Sequence, residues 1–454
     1  MHNFPYTNFH EINLDWILSQ VKAIPETVQS EVKKILESDI SAIVSNITSA
    51  AVNVKNPPSP LDPVKDNVDC SAQMQAIVNY CAENGYSVYI PAGRYVFNNI
   101  VVPLNRHAIS ISGCGEASTI DSTGGDCFIF NGGGNVTPCV MSNLYVTRAN
   151  RAYHFKDLSY IFAYNLYAHA CGVGFDVENV DHSTFISCTS RWCSQYGIDI
   201  HSQNLVGYTA PNNIVFYGCR FGNNYGPGVH LYLTSNIVFN ACSIEYNSGF
   251  GIKAEYCGGQ GGTQFTASEN YFEGNQGSAD IGIINGAIQD VEIEGSAIIS
   301  NNSFNKVNGS SAMALSCTST ETNKSTVSFI RNTVEYYGTF ASDNIVGFFG
   351  FADLDAYIEI KENRCTDQSA MSRAEFLVRQ YINGSVNDGA ITTSAAQYLA
   401  AEGARVTGFT YGTYLLMVDG ASISTPGVVP GLIGGYPGLF IDFAGTGTFS
   451  IVKL

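Results

Sequence analysis

Charge is scarce in this sequence, and basic charge is the scarcer kind. Of 454 residues only 13% are Asp, Glu, Lys or Arg, and 39 acidic side chains face 22 basic ones, a formal net charge of −17. Such a surface repels duplex DNA and anionic membranes at long range, and no basic run offsets it, so no nucleic-acid partner is expected. No apolar run is long enough to span a bilayer, so no membrane insertion is expected either. The opening MHNFPYTNFHEINLDW lacks the basic start and continuous apolar core of a signal peptide. The 13 cysteines are odd in number and include no CxxC pair. They read as small apolar core residues of a chain made in a reducing cytosol. What is abundant is 45% hydrophobic residues and 45 glycines, the profile of a turn-rich β protein.

The chain changes character along its length. Residues 1–54 read as helical, because Ile17, Val21, Ile24, Val28, Val32, Leu36, Ile40, Ile43 and Ile47 recur at steps of three or four. So long a stripe points to self-association, with packing onto the next domain as the alternative. Residues 55–65, KNPPSPLDPVK, form a linker whose prolines favour extended backbone. The stretch from Asp66 to Val102 predicts a short helix from Ser71 to Glu83 stopped at Asn84-Gly85. The strand VYIP, a turn at Ala92-Gly93 and the strand RYVF follow.

A degenerate repeat then runs through the centre. It consists of an apolar residue, two variable ones, Asn or Cys, one variable residue, and usually another apolar one. Its Asn/Cys positions are Asn143, Asn165, Cys188, Cys219, Cys242, Asn270, Asn302, Asn332 and Asn363, spaced 22 to 32 residues apart. That period suits one coil of a β-helix, three short strands and three turns, whose equivalent residues stack at about 4.8 Å. Phe162, Phe185, Phe216 and Phe239 are expected to form one inward aromatic ladder, with Asn bonding between coils and Cys filling the same space. NIVFYGC at Asn213–Cys219 nearly repeats as NIVFNAC at Asn236–Cys242, so those coils should stack directly. The alternative, a β-sandwich with coincidental Asn-rich turns, does not account for nine instances. Beyond about residue 370 the period is lost; residues 371–454 read as a C-terminal β-rich cap, needed because an uncovered last coil exposes a strand edge.

Nine residues after each of four Asn/Cys positions comes a glycine opening GFDVE, GIDIH, GVHLY or GIKAE. Alternation sends Phe175, Ile198, Val229 and Ile252 inward, so two columns face out: Asp176, Asp199, His230, Lys253, and Glu178, His201, Tyr232, Glu255. Asp176, Asp199, His201, His230 and Glu255 are the candidate catalytic groups, with Glu178, Tyr232 and Lys253 as substrate-binding neighbours. Adjacent carboxylates about 5 Å apart suit a retaining glycosidase, and groups two coils apart suit the wider spacing of an inverting one. A β-elimination lyase would use His201, His230 or Lys253 as base. The plain alternative is a solvated face whose opposite charges pair. A competing outward face carries Thr189, Arg191, Arg220, Glu245, Tyr271 and Glu273 and could equally form a sugar groove.

The stretch DNVDCSAQMQAIVNYCAENGYSVYIPAGRYVF resembles the opening of the pectate-lyase-like right-handed parallel β-helix family. There an Asp-rich start leads into an amphipathic capping helix and a strand of the type V-Y-x-P-x-G-x-Y. The resemblance implies an all-β right-handed parallel β-helix (solenoid) over 66–370, between an N-terminal α-helical stem and a C-terminal β-rich cap. YTNFHEINLDWIL is similar to the start of many phage structural proteins from Gram-positive hosts. It implies a virion-attachment segment that joins other phage virion proteins. Together the resemblances imply a homotrimeric bacteriophage tailspike or appendage in the virion that recognises, and could depolymerise, bacterial surface glycan. A catalytically inert fibre is one alternative and a cellular pectinase-like enzyme a weaker one. Neither the paired-Asp and Gly-His-Gly signatures of polygalacturonases nor the calcium-binding Asp cluster of pectate lyases is recognisable, so no catalytic residue carries over and no metal or cofactor is expected.

Overall fold

A computed structural model of the protein describes residues 51–104, 108–122, 124–135, 138–202, 211–257, 260–277, 279–288, 291–306, 311–317, 325–336 and the strands between 346 and 453. The expected helical stem, residues 1–54, lies outside the described residues except at its end, where Ala51–Asn53 is a strand and not helix, paired with the strand Ser87–Tyr89. From Val52 onward the chain forms one compact unit.

That unit is a right-handed parallel β-helix, a β-helix as the repeat predicts and of the hand that the resemblance implies. Three parallel sheets run along it, each strand pairing with its equivalents one coil before and one coil after. Inward columns of the three sheets fill the core. The first holds Met141, Ala163, Phe185, Phe216, Phe239, Ala267, Ile299 and Phe329. The second holds Val146, Ala168, Ser190, Phe221, Ile244, Phe272 and Phe304. The third holds Tyr153, Phe175, Ile198, Val229, Ile252, Ile281 and Met313. Nearly all of these side chains have no exposed surface. Like rings meet face to face, as with Phe185 and Phe216 at 4.7 Å and Phe216 and Phe239 at 5.0 Å between centroids.

One expected ladder member is displaced. Phe162 pairs with Thr184, and Ala163 takes the inward place beside Phe185. The cause is the place of the asparagine, one residue earlier in these coils than the Asn or Cys of the later ones. Asn143 and Asn165 are themselves the turn residues, in left-handed conformation with φ of 55° and 49°. The residues after them, Leu144 and Leu166, are the true equivalents of Cys188. In later coils Ser187, Gly218, Ala241, Glu269, Asn301 and Arg331 take the left-handed place. The buried residue that follows is then Cys188, Cys219, Cys242, Asn270, Asn302 or Asn332.

This buried column ties the coils together. Asn302 donates through Nδ2 to Ala267 O and to Asn332 Oδ1, both at 2.9 Å, and its Oδ1 accepts from Asn270 N at 2.9 Å and Asn270 Nδ2 at 3.0 Å. The cysteines do more than fill space. Their thiols sit 3.4–3.6 Å from the corresponding carbonyls, Cys219 Sγ on Phe185 O and Cys242 Sγ on Phe216 O among them. A second column, Asn224, Asn247 and Asn275, does the same at the next turn, Asn247 Nδ2 reaching Asn275 Oδ1 at 2.9 Å.

The first coil is closed by the helix Ser71–Asn84, which buries Met74, Ile77, Val78, Cys81 and Ala82 and stops at left-handed Gly85 (φ 70°). Gln75 on this helix mimics a strand: its amide donates to Val101 O at 2.7 Å and accepts from Val101 N at 2.8 Å, covering an otherwise open edge. Residues 55–65 run along the same end, with Val54 bonded to Tyr89 O, Val64 bonded to Val54 O, and both valines buried. At the far end pairing turns antiparallel: Tyr414–Asp419 and Ala356–Asp367 both pair with Thr448–Lys453, and Ser422–Ile433 pairs with Tyr436–Ala444.

The asparagine column predicts an asymmetric response. Replacing Asn302 with Ala leaves buried partners in two other coils unmatched and should cost about 3 kcal/mol or more, against about 1 kcal/mol for Cys219→Ala. Denaturation midpoints of the two variants check this; equal losses would mean the column stabilises by packing alone.

Candidate functional site

The outward face of the third sheet is set by the same alternation that buries Phe175 and Val177. Register places Asp176, Asp199, His230 and Lys253 in one column and Glu178, His201, Tyr232 and Glu255 in the other, as the sequence predicts. Gly174, Gly197 and Gly228 open these strands because a Cβ there would lie 2.4–3.0 Å from the carbonyl oxygen one coil on. The columns also extend one coil back, to His154 beside Asp176 and Lys156 beside Glu178. Sequence reading missed both, since the strand Arg151–Ser159 carries Ala152 where the others carry glycine. The only signal was its 22-residue offset from GFDVE.

Two clusters result. In the first, Asp176 is the hub. His201 Nε2 meets its Oδ1 at 2.9 Å, and Arg151 Nη1 donates to its Oδ2 at 2.8 Å. Arg151 also holds Asp126, through Nε at 3.0 Å, and Lys156 Nζ donates to Glu178 Oε1 at 2.6 Å. Asp176 and Glu178 are only 4% and 3% exposed, so these are carboxylates covered by their own cations. Burial opposes ionisation of Asp176, but the bonds from His201 and Arg151 prevail and hold its pKa below the ordinary value. The same bond raises the pKa of His201 against its own burial. His154 behaves oppositely: burial holds its pKa below the ordinary imidazole value despite Asp176, and its Nδ1 is buried with no partner.

In the second cluster His230 bridges two carboxylates, Nδ1 to Asp199 Oδ1 at 2.8 Å and Nε2 to Glu255 Oε2 at 2.9 Å. Burial opposes its charge, yet the two bonds raise its pKa. Lys253 Nζ lies 2.7 Å from the same Glu255 oxygen. His230 above all, with Lys253, pulls the Glu255 pKa down to about 2. Tyr196 stacks flat on His230, 4.7 Å between centroids, whereas Tyr232 is further off at 6.4 Å.

The competing face, on the second sheet, is also assembled as predicted. Thr189 pairs with Arg220 and Ser243 with Tyr271 in one column; Arg191, Gly222, Glu245 and Glu273 follow one another in the next. Arg220 Nε donates to Glu245 Oε1 at 2.7 Å, and Tyr271 OH donates to Glu273 Oε2 at 2.9 Å. Arg191 Nε is buried without a partner. The sequence reading passed over the three most exposed aromatic side chains among the described residues, Trp192, Tyr225 and Tyr246, which border this face at the turn.

Chemically, the third-sheet face offers an imidazole hydrogen-bonded to an ionised carboxylate beside a second carboxylate. Donor atoms of Asp176, Asp199 and His201 all lie within 4.8 Å of one another, a spacing that a cation could also bridge. Such an ion would have to displace the proton shared by His201 and Asp176. The carboxylate spacing suits retention better than inversion. Asp176, buried with one oxygen on His201 and the other on Arg151, is fitted to orienting the imidazole and stabilising its charge, and His201 to carrying the proton.

Residues 83–289 match the family model described as "Right handed beta helix region". Among curated protein sequences there is no match. Similar solved structures include ORF18 of Geobacillus virus E2, at 15% identity and a TM-score of 0.48, covering 94% of this chain and 78% of that one. Another is the catalytic unit of a GH87 alpha-1,3-glucanase from Streptomyces thermodiastaticus (14%, TM-score 0.47, 70% of this chain and 62% of that one). A third is tailspike protein gp49 of Acinetobacter baumannii bacteriophage Fri1, a capsular polysaccharide depolymerase (12%, TM-score 0.41, 89% and 84%). At these identities and TM-scores the likenesses bear on neither substrate nor reaction. No helix among the described residues is long and apolar enough to cross a membrane.

The imidazoles predict how stability depends on pH. The folded-state pKa values of His201 and His230 are raised, so their contribution is complete below about pH 6.5, the unfolded value, and is lost as pH rises through the folded values. Melting temperature should therefore decline on the alkaline side of about pH 6.5. In His230→Gln it should start lower at acid pH and decline less; a variant that keeps the full decline would remove His230 from this role.

Proposed function

We propose that the protein is a subunit of a bacteriophage tailspike or related virion appendage that recognises bacterial surface polysaccharide during adsorption. Cleavage of that polysaccharide is the reaction its Asp176–Asp199–His201 cluster could support. The observation that carries this reading is the outward row itself. Consecutive coils present hydrogen-bonding side chains at the inter-strand interval, about 4.8 Å, so a linear polymer of hydroxylated rings laid along the axis meets an equivalent group at each step. In this reading Asp176 and Asp199 are the paired carboxylates, and His201 moves the proton. His230 and Glu255 position Asp199, while Glu178, Tyr232 and Lys253 contact the glycan. Residues 1–54 serve as the attachment and oligomerisation segment, 55–65 as a linker, and 371–454 as the cap of a homotrimer whose copies raise avidity.

A second reading has its own support. Within the row each cation described already meets a carboxylate: Arg151, Lys156, His201, His230 and Lys253 against Asp126, Asp176, Glu178, Asp199 and Glu255. A face so completely paired also suits a receptor-binding protein that holds glycan without cutting it.

The two readings separate in one assay. Purified protein is incubated with surface polysaccharide from candidate hosts, and fragment size is followed together with absorbance from the unsaturated uronate that elimination leaves. The catalytic reading expects shortening that falls roughly a hundredfold or more in Asp176→Asn and in His201→Gln, with the fold intact by circular dichroism. Shortening unaffected by either substitution would overturn the assignment. Bound but uncut glycan would establish the adhesin.

A further inference from the structure

We propose that Trp192, Tyr225 and Tyr246 form a stacking platform for the ring faces of a neutral saccharide chain, at the turn where the second sheet leads into the third. The inference deepens the glycan reading and rests on it.

These three are the most exposed aromatic side chains among the described residues, at 43%, 64% and 44%. The core gains little from them. The backbone at Trp192 and Tyr246 is left-handed, with φ of 60° and 54°. In neighbouring coils the same column is occupied by Arg148, Ala170, Asn223 and Gly274, so the turn does not require an aromatic residue there. A bulky side chain in that conformation is disfavoured. An aromatic ring is held there at a conformational cost, with close to half of its surface open to a ligand.

The rings are also held in place. Trp192 and Tyr225 pack tilted against each other at 6.4 Å between centroids. The Tyr246 ring lies over Gly274, where a Cβ would come within 2.7 Å of a ring carbon, so only glycine lets the ring lie there. Trp192 and Tyr246 are two coils apart, roughly 10 Å at the inter-strand spacing. Beside them runs the Arg191 side chain, whose Nε is buried without a partner. An apolar ring face with polar groups at its rim is what a pyranose offers in return.

Charge selects the neutral class. A uronate-bearing chain would bring one negative charge per repeat toward a protein of net charge −17. Nearby Arg220 is already held by Glu245, and the third-sheet cations are held by the carboxylates described above. Among the described cations beside this turn, Arg191 would be left to neutralise a whole run of uronates.

The test uses the full-length chain. Its only other tryptophan is Trp16, so Trp16→Phe leaves Trp192 as the single indole reporter. The chain is applied to an array of neutral gluco-, galacto-, manno- and rhamno-oligosaccharides alongside uronate-bearing ones, and fluorescence is titrated with whatever binds. The expected result is binding confined to neutral chains, with a shift in Trp192 emission. Affinity, read for these variants by calorimetry, should fall roughly tenfold in Trp192→Ala and in Tyr246→Ala and be largely retained in Trp192→Phe. Glycan binding that survives both alanine substitutions, or that prefers uronates, overturns the platform and leaves the glycan reading standing. Binding to nothing on the array overturns both.

Discussion

The parallel hydrogen-bonded register between successive coils is the constraint on which everything else depends. Once a strand is bonded to its equivalents above and below, each side chain acquires two fixed neighbours at the inter-strand distance, and a position becomes a column. Inside, the column rule is simple to satisfy, because like apolar residues stack well. At the turns it demands more. The backbone must reverse in a left-handed residue and then bury its next polar groups. The Asn and Cys columns meet that demand by bonding the carbonyl one coil back. Asn270, Asn302 and Asn332 thus belong to the same bonded system as the strands they join.

Outside, the same rule forces charges together. Asp176 sits directly beside Asp199, and Glu178 beside His201, whatever their preference. Two ionised carboxylates at that distance repel, more strongly where water is scarce. Arg151, His201 and His230 offset the repulsion, and the two raised imidazole pKa values record how strongly the carboxylates hold their protons. Five carboxylates then face five cationic groups while both imidazoles are protonated. Once both have titrated the face carries two uncompensated negative charges, so pH governs its charge as well as its stability.

How legible this was in the sequence follows from the same columns. The glycines opening GFDVE, GIDIH, GVHLY and GIKAE could be read because a Cβ cannot fit beneath the next coil, and that requirement leaves a fixed residue at a fixed offset. Both outward columns therefore emerged in correct register. The asparagines misled by one position in the early coils: the exposed left-handed place and the buried place beside it both accept asparagine, so residue type alone does not separate them. His154 and Lys156 were not found because Ala152 replaces the marker glycine. Trp192, Tyr225 and Tyr246 were not found because nothing in an isolated sequence distinguishes an aromatic residue on a turn from one in the core. The helix Ser71–Asn84 was foreseen almost to the residue, yet the strand-like use of Gln75 was not, since it depends on which edge the helix covers.

The two histidines at the centre of the face are not equivalent, and the difference bears on what the face can do. His230 has both ring nitrogens on carboxylates, so it can move a proton only by releasing Asp199 or Glu255. It is a crosspiece that fixes the position of Asp199. His201 meets Asp176 through Nε2, and Asp176 is in turn fixed by Arg151. An imidazole oriented by an ionised carboxylate, itself anchored by a guanidinium, is a recurring arrangement for proton transfer. Burial opposes its charge, but the bond to Asp176 raises its pKa, so His201 keeps its proton to higher pH than a free imidazole does. That hold on the proton makes assisted departure of a protonated leaving oxygen easier to support here than abstraction of a carbon-bound proton. Under the proposed cleaving reading, hydrolysis therefore fits the face better than elimination, and the proposed neutral substrate would carry no uronate for elimination to act on.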